Sequence, residues 1–326
     1  IAIAIFISSI SFFKSSSQSV RIIDRFNNFY NEEKYDSIFA MFSTEMKKAL
    51  PWEKTKEFLE GLKTNYGKIT NKEFLRYLDG RYASYKTQFE KKGFLCINFA
   101  TDNDAKDVET EDDYTKITGL FIKPYVPENL PKINRNLTKL VSPFEGEWTV
   151  LWGGDTKELN YHIISQAQKN AFDFLIQDAL GKSFKTDGKT NENYYAFGKP
   201  ILAPCEAEVI MAVDGIKDNQ PGVMNPSYTF GNSVILKTSA GEYMVFAHLK
   251  QFTVAVKQGQ KLKPLQQIGL CGNSGNSTEP HLHFHIQNFE YMNNATGVKS
   301  YFNQVVVNGE LKSDYSPIKG DKIKAK

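Results

Sequence analysis

In the stretch "EPHLHFHIQ", histidines occupy alternate positions 281, 283 and 285. Alternate side chains of an extended strand share a face. His281, His283 and His285 therefore point one way, while Leu282, Phe284 and Ile286 point the other. The apolar face accounts for a core; the imidazole face needs another explanation. A lone histidine is most simply a satisfied polar residue. Three on one face desolvate one another and repel when protonated, which points to a metal or a reaction. The chain has five histidines, all between residues 162 and 285. The other two are His162 in "NYHII" and His248 in "EYMVFAHLK", where Met244, Phe246 and His248 are expected on one face. Asp173 lies inside the apolar stretch "AFDFLI", where a carboxylate is costly unless it is paired or bound to a cation. Asp178, in "IQDALG", is the alternative carboxylate but lacks the strand pattern. Two histidines and one carboxylate with an open position make a recognised catalytic zinc arrangement.

These residues need a rigid frame, and the second half of the chain reads as one. "PILAPCEAEVIMAV", "SVILKT", "EYMVFAHL", "QQIGL" and "HLHFHIQ" are short strand candidates separated by Asp-Gly, Ala-Gly and Gly-Gln turns, the signature of an all-β sandwich or barrel. The first half differs. "VRIIDRFNNFY" and "KYDSIFAMF" repeat apolar residues at helical spacing. "PWEKTKEFLEGLKTNYG" opens on Pro51 and stops at Gly67 as a helix should. "RYASYKTQF", "FLCINFAT" and "YTKITGLFI" then read as antiparallel strands, predicting an α+β domain with helices on a curved sheet. The expected organisation is a domain over 20–125, a proline-bearing linker over 126–148, a catalytic domain over 149–310 and a C-terminal tail over 311–326.

Composition narrows the function classes. Forty basic against 37 acidic residues gives no field that suggests nucleic acid, and 41% hydrophobic residues suffice for two cores. The three cysteines (Cys96, Cys205, Cys271) are too scattered for a disulfide framework and read as buried apolar residues. Residues 1–13 carry no charge. That run is too short to span a bilayer and suits the apolar part of a secretory signal, so residues 1–19 predict an exported protein with no stable membrane span once mature.

"VFAHL" and "VKQGQKLKPLQQIGLCGNSGNSTEPHLHFHI", with "FGKPILAPCEAEV" upstream, resemble the lysostaphin/LytM-type zinc endopeptidases that cut peptidoglycan peptides. The resemblance covers about residues 150–295. It implies an all-β fold of that type, one Zn2+ per chain and peptidoglycan peptides as substrate, cut by a water that the metal activates. Carried over residue by residue, it implies His162, Asp173 and His283 as zinc ligands, with His248 and His281 as the catalytic pair beside the water. Such a zinc lowers the pKa of its water toward ~7, and the imidazoles would move its proton and bond the oxyanion. His285 stands where many relatives have Glu, which implies an orienting or structural role. The sequence departs from the family pattern upstream: the usual spacing of four between His and Asp becomes eleven between His162 and Asp173. A polar turn at 166–170 is the expected bridge.

The N-terminal part more distantly resembles the nuclear-transport-factor-two-like cone, through the order of its helices and strands. Two other readings compete with the enzyme. A catalytically inactive relative could bind cell wall or regulate a hydrolase, but such relatives usually lose ligands, and none is lost here. "VKQGQKLKPLQQIGL" also resembles biotinyl or lipoyl carrier hairpins, though no lysine occupies the required turn.

Overall fold

The computed structural model describes residues 16–78, 82–91, 93–101 and 116–326. The chain divides into two units, Ile1–Pro127 and Glu128–Lys326. Residues 1–15, which hold the uncharged run read as an export signal, lie outside the described residues; helix begins at Ser16, inside the expected 1–19 segment. Among the described residues no helix is long and apolar enough to cross a membrane.

In the first unit, helices α1 (Ser16–Asn31), α2 (Tyr35–Ala40), α3 (Thr44–Ala49) and α4 (Trp52–Tyr66) precede four strands. These strands, β1 (Ile69–Leu78), β2 (Tyr82–Phe89), β3 (Phe94–Thr101) and β4 (Ile117–Pro124), form an antiparallel meander in chain order. Pro51 caps α4, and Gly67 ends it at φ 78°, a backbone that side-chain-bearing residues rarely adopt. Apolar stripes on α1 (Ile22, Ile23, Phe26, Tyr30) meet Tyr85 and Phe99 of the sheet in one core. Strand β1 escapes the period-two reading because only Ile69 of its ten residues is buried. Register breaks at Ile69/Asn71 and Phe74/Arg76 set it irregularly against β2.

The second unit is all-β. Its strands are β5 (Glu147–Trp152), β6 (Phe172–Leu175), β7 (Pro200–Leu202), β8 (Ala207–Val213), β9 (Asn232–Lys237), β10 (Tyr243–Leu249) and β11 (Lys261–Leu262). Then come β12 (Gln267–Leu270), β13 (Leu282–Gln287), β14 (Gly297–Val298), β15 (Phe302–Val307), β16 (Glu310–Tyr315) and β17 (Lys322–Lys324). An antiparallel path runs β11-β8-β9-β10-β13-β6-β5-β17-β15-β16, with β14 beside β13 and β7 paired with β12. The site strands β10, β13 and β6 are consecutive in its interior. Phe172, Phe174, Phe246 and Phe284 fill the core on their apolar side. All three cysteines are buried and free.

Two segments differ from the sequence expectation. Most of 126–148 is not a free linker. Leu140 and Phe144 are fully buried, and Phe144 stacks on Trp148 with centroids 4.6 Å apart. The buried Glu242 carboxylate accepts hydrogen bonds from the Leu137 and Thr138 amides and from the Thr138 and Thr238 hydroxyls. Its three prolines hid this, because a segment that packs without a ladder has no period to read. Residues 311–326 are not a tail either. Strand β17 lies between β5 and β15, pairing Ile323 with Trp148 and Val307. Ile323 is fully buried. Ile323→Ala should cost about 2–4 kcal/mol, as cavity-forming substitutions in tight cores do. Urea unfolding followed through the tryptophan fluorescence checks it. A midpoint unchanged from wild type would mean that the terminal strand is not part of the cooperative unit.

Candidate metal centre

Strand register assembles the site. His283 of β13 lies directly opposite Asp173 of β6, while Leu282 and Phe284 face Phe174 and Phe172. The carboxylate thus escapes the apolar layer by alternation and meets the histidine face. His283 Nδ1 is 2.9 Å from Asp173 Oδ1. His281, just before β13, brings Nε2 to 3.6 Å from the same oxygen. All five histidines and Asp173 are buried.

His162 arrives on a 3-10 turn, Tyr161–Ile164. Residues 166–170 form the turn that returns the chain to β6. Asn160 fixes the imidazole. Its Nδ2 donates to the Gly154 and Ala171 carbonyls at 3.3 and 3.0 Å, so its Oδ1 is the acceptor. That oxygen lies 3.2 Å from the His162 amide nitrogen and 2.9 Å from Nδ1. Nδ1 carries the proton, and a bare Nε2 stands 3.5 Å from Asp173 Oδ2.

His248 reaches the centre by breaking the pattern. Opposite β13, Ala247 pairs with His283 and Val245 with His285, so plain alternation would send His248 to the core side with Met244 and Phe246. That shared face, expected from the sequence, does not hold. His248 has φ 61°, and the β10–β9 register shifts between Phe246 and Leu249. The bulge turns the ring to within 4.9 Å of the His281 ring centroid and 5.8 Å of that of His283. Such a φ is strained for a residue with a β-carbon and is held by three contacts. The His248 amide donates to the Phe230 carbonyl at 2.9 Å, and its own carbonyl accepts from Gly272 at 3.1 Å. Nδ1 lies 2.8 Å from the Ser274 carbonyl.

A carbonyl only accepts, so His248 Nδ1 carries the proton and Nε2 is free. His281 is held the same way, its Nδ1 2.8 Å from the Glu279 carbonyl. The geometry therefore converges lone pairs: His162 Nε2, the Asp173 carboxylate, His248 Nε2 and His281 Nε2, with His283 Nδ1 facing them. One atom from each of His162, Asp173 and His283 lies within 4.8 Å of the other two. Zinc bonds of about 2.0–2.2 Å at tetrahedral angles space donors about 3.3–3.6 Å apart, so a small cation fits this trio with little movement. Asp178 lies elsewhere, its Oδ1 accepting from the Leu180 and Lys182 amides in an exposed turn. Asp187 likewise caps the Lys189 amide.

Burial drives the imidazoles of His162, His248, His283 and His285 toward neutrality. His162 is pushed down to about 3 from an ordinary 6.5, partly offset by Asp173, and His285 to about 4. Burial, then neighbouring histidines, hold His248 and His283 well below that range. A depressed histidine pKa means that the unfolded chain binds more protons below pH ~6.5, so stability is present above that pH and lost as pH falls toward 4 and 3. Chelator-treated protein should show a urea midpoint that drops steadily from pH 7 to pH 5. A flat midpoint over that range would contradict the burial of neutral imidazoles.

A cavity of about 190 Å³ opens beside the cluster, lined by His162, His248 and His283 together with Tyr161, Ile164, Thr229 and Phe230. The stretch 217–232 supplies Thr229 and Phe230 to this lining. The fixing groups (Asn160 and the carbonyls of Ser274 and Glu279) were not singled out in the sequence. Only Asn160 had a local signal, an Asn two residues before a histidine, which is the spacing of an Asx turn.

In chain order, an α+β unit precedes an all-β unit that carries the histidine cluster. Residues 192–298 match peptidase family M23, and residues 24–108 match a protein family of unknown function, DUF3887. The M23 match contains His248, His281, His283 and His285; His162 and Asp173 lie upstream of it, so their membership of the site stands on the register and the turn described above. The chain is 40% identical over 73 residues to peptidoglycan DD-endopeptidase ShyA of Vibrio cholerae, covering 19% of this chain and 17% of that one. It is 32% identical over 119 residues to cell division protein DipM of Caulobacter vibrioides, 36% of this chain and 18% of that one. The chain thus spans less than a third of the length of these relatives. Lysostaphin from Staphylococcus simulans is a solved structure similar to it, at 20% identity, TM-score 0.30, 49% of this chain and 51% of that one.

Proposed function

We propose that the chain is a zinc-dependent endopeptidase that cleaves peptide bonds in peptidoglycan stem peptides or cross-bridges, and that it acts outside the cytoplasm. The observation that carries this is the convergence of lone pairs on one buried point. His162 Nε2, the Asp173 carboxylate and His283 Nδ1 would hold the zinc, and His248 and His281 each keep a free Nε2 beside it. Zinc bound there would act as a Lewis acid on the scissile carbonyl and make water a nucleophile near neutral pH. Residues 192–298 match a peptidase family, and relatives named for peptidoglycan cleavage and cell division support the substrate class.

The chain's own groups then do the proton work. Burial keeps His248 neutral, so its Nε2 accepts a proton from the attacking water, with Nδ1–H anchored on the Ser274 carbonyl. A buried imidazolium is a strong acid and returns that proton to the leaving amine. His281, anchored on the Glu279 carbonyl, faces the same point and can donate to the oxyanion once protonated. Tyr161, Ile164 and Phe230 line the cavity beside the histidines and would give the reacting bond a partly apolar wall.

The test is digestion of purified cell wall of known cross-link chemistry by the full chain, with zinc and with chelator. New amine termini that appear only with metal support the reading. Zinc-loaded protein that binds wall but releases no fragment would replace the enzyme with a binding module.

A further inference from the structure

His285 is fully buried, stands outside the trio that would hold the metal and is not needed for the proton transfers above. Its contacts form a line. His283 Nε2 lies 3.0 Å from His285 Nδ1, and His285 Nε2 lies 3.0 Å from Gln287 Oε1. Gln287 Nε2 donates to the carbonyls of Phe289 and Glu290 at 2.8 and 3.2 Å. We propose that His285 and Gln287 are positioning residues: a buried relay that fixes the tautomer of His283 and thereby raises its affinity for the metal. The proposal rests on the metal-centre reading above.

Carbonyls 289 and 290 can only accept, so the Gln287 amide must point its NH2 at them and its Oε1 at His285. His285 Nε2 must then donate. A neutral imidazole has one N–H, so His285 Nδ1 is left as an acceptor. His283 Nε2 therefore donates to it, and His283 Nδ1 is bare where it faces Asp173 Oδ1. Two acceptors 2.9 Å apart in a buried site repel one another unless a cation lies between them. The opposite tautomer of His283 would need the Gln287 amide reversed, setting Oε1 against two carbonyls in place of two hydrogen bonds. The line thus prepares an empty lone pair at the centre, the role that outer hydrogen-bond partners of metal-bound histidines play generally. Here it is done without a second carboxylate, so Asp173 remains the only side-chain charge contributed by the ligand trio and the relay.

Three variants separate positioning from mere packing. Gln287→Leu and Gln287→Glu both lose the two bonds to carbonyls 289 and 290, but only Glu keeps an acceptor for His285 Nε2. Zinc affinity, measured by competition with a chromophoric chelator, should fall about 10–100-fold in Gln287→Leu and stay within a few-fold of wild type in Gln287→Glu. His285→Leu should fall at least as far, and the double variant His285→Leu/Gln287→Leu no further than His285→Leu alone, because the two act in series. Equal affinities in wild type and Gln287→Leu, or equal losses in Leu and Glu, would overturn the relay. Should the Leu variants not fold, nitrogen-15 NMR of the wild type decides. Its metal-free form should show His285 protonated at Nε2, and a proton at Nδ1 overturns the relay. Wild type that binds no zinc but shows the Nε2–H tautomer would sink the metal reading while leaving the tautomer relay in place.

Discussion

Asp173→Asn should give a folded chain that no longer retains zinc through dialysis, with affinity lowered more than about 100-fold. Losing an outer hydrogen-bond partner costs about 10–100-fold, and a ligand itself should cost more. The substitution keeps the shape of the side chain, so Phe172 and Phe174 stay in the core and the β6–β13 register is undisturbed. What changes is the centre. A neutral amide replaces the carboxylate that lies 2.9 Å from His283 Nδ1 and 3.5 Å from His162 Nε2. Its oxygen is a weaker ligand, and its NH2 can donate to either bare nitrogen, occupying the lone pair that would hold metal. Asp178→Asn is the control, since an amide oxygen can still accept from the Leu180 and Lys182 amides. Metal content after dialysis, with melting curves in chelator, checks both. Zinc retained by Asp173→Asn at the wild-type level would remove Asp173 from the ligand set.

How much of this was legible in the sequence depended on whether a residue's role follows from its strand position. His281, His283 and His285 on one face, and Asp173 between two core phenylalanines, are products of simple alternation and could be read directly. His248 could not be placed the same way. Its type marked it, but alternation put it on the core face, and only the bulge that holds its positive φ brings it to the site. Gln287 was hidden for another reason. It continues the 281–283–285 series by one step, yet its role depends on two carbonyls just beyond the strand, whose positions no side-chain pattern encodes. Strand β17 and the packed segment 131–148 were missed because pairing with strands distant in the chain leaves no local period.

Removing the two non-ligand imidazoles should separate metal binding from catalysis. His248→Ala and His281→Ala should keep wild-type zinc content and lose about 10²–10⁴-fold in rate, the range of a general acid–base or oxyanion contact. Neither ring is among the trio that converges on the cation position, and each is held by a backbone carbonyl through Nδ1, so its loss leaves His162, Asp173 and His283 in place. Alanine can still adopt φ 61° at residue 248, at somewhat greater strain than histidine, which populates that region more readily. The bulge should therefore stay anchored by the Phe230 and Gly272 contacts. If both imidazoles serve one proton path, the double variant will lose little more than the worse single, since groups that act as a unit are not additive. Independent roles, one on the water and one on the oxyanion, would instead multiply the two losses. Zinc content and rates for the two singles and the double, measured on the same cell-wall substrate, distinguish these outcomes. Loss of zinc in either single variant would move that histidine into the ligand set.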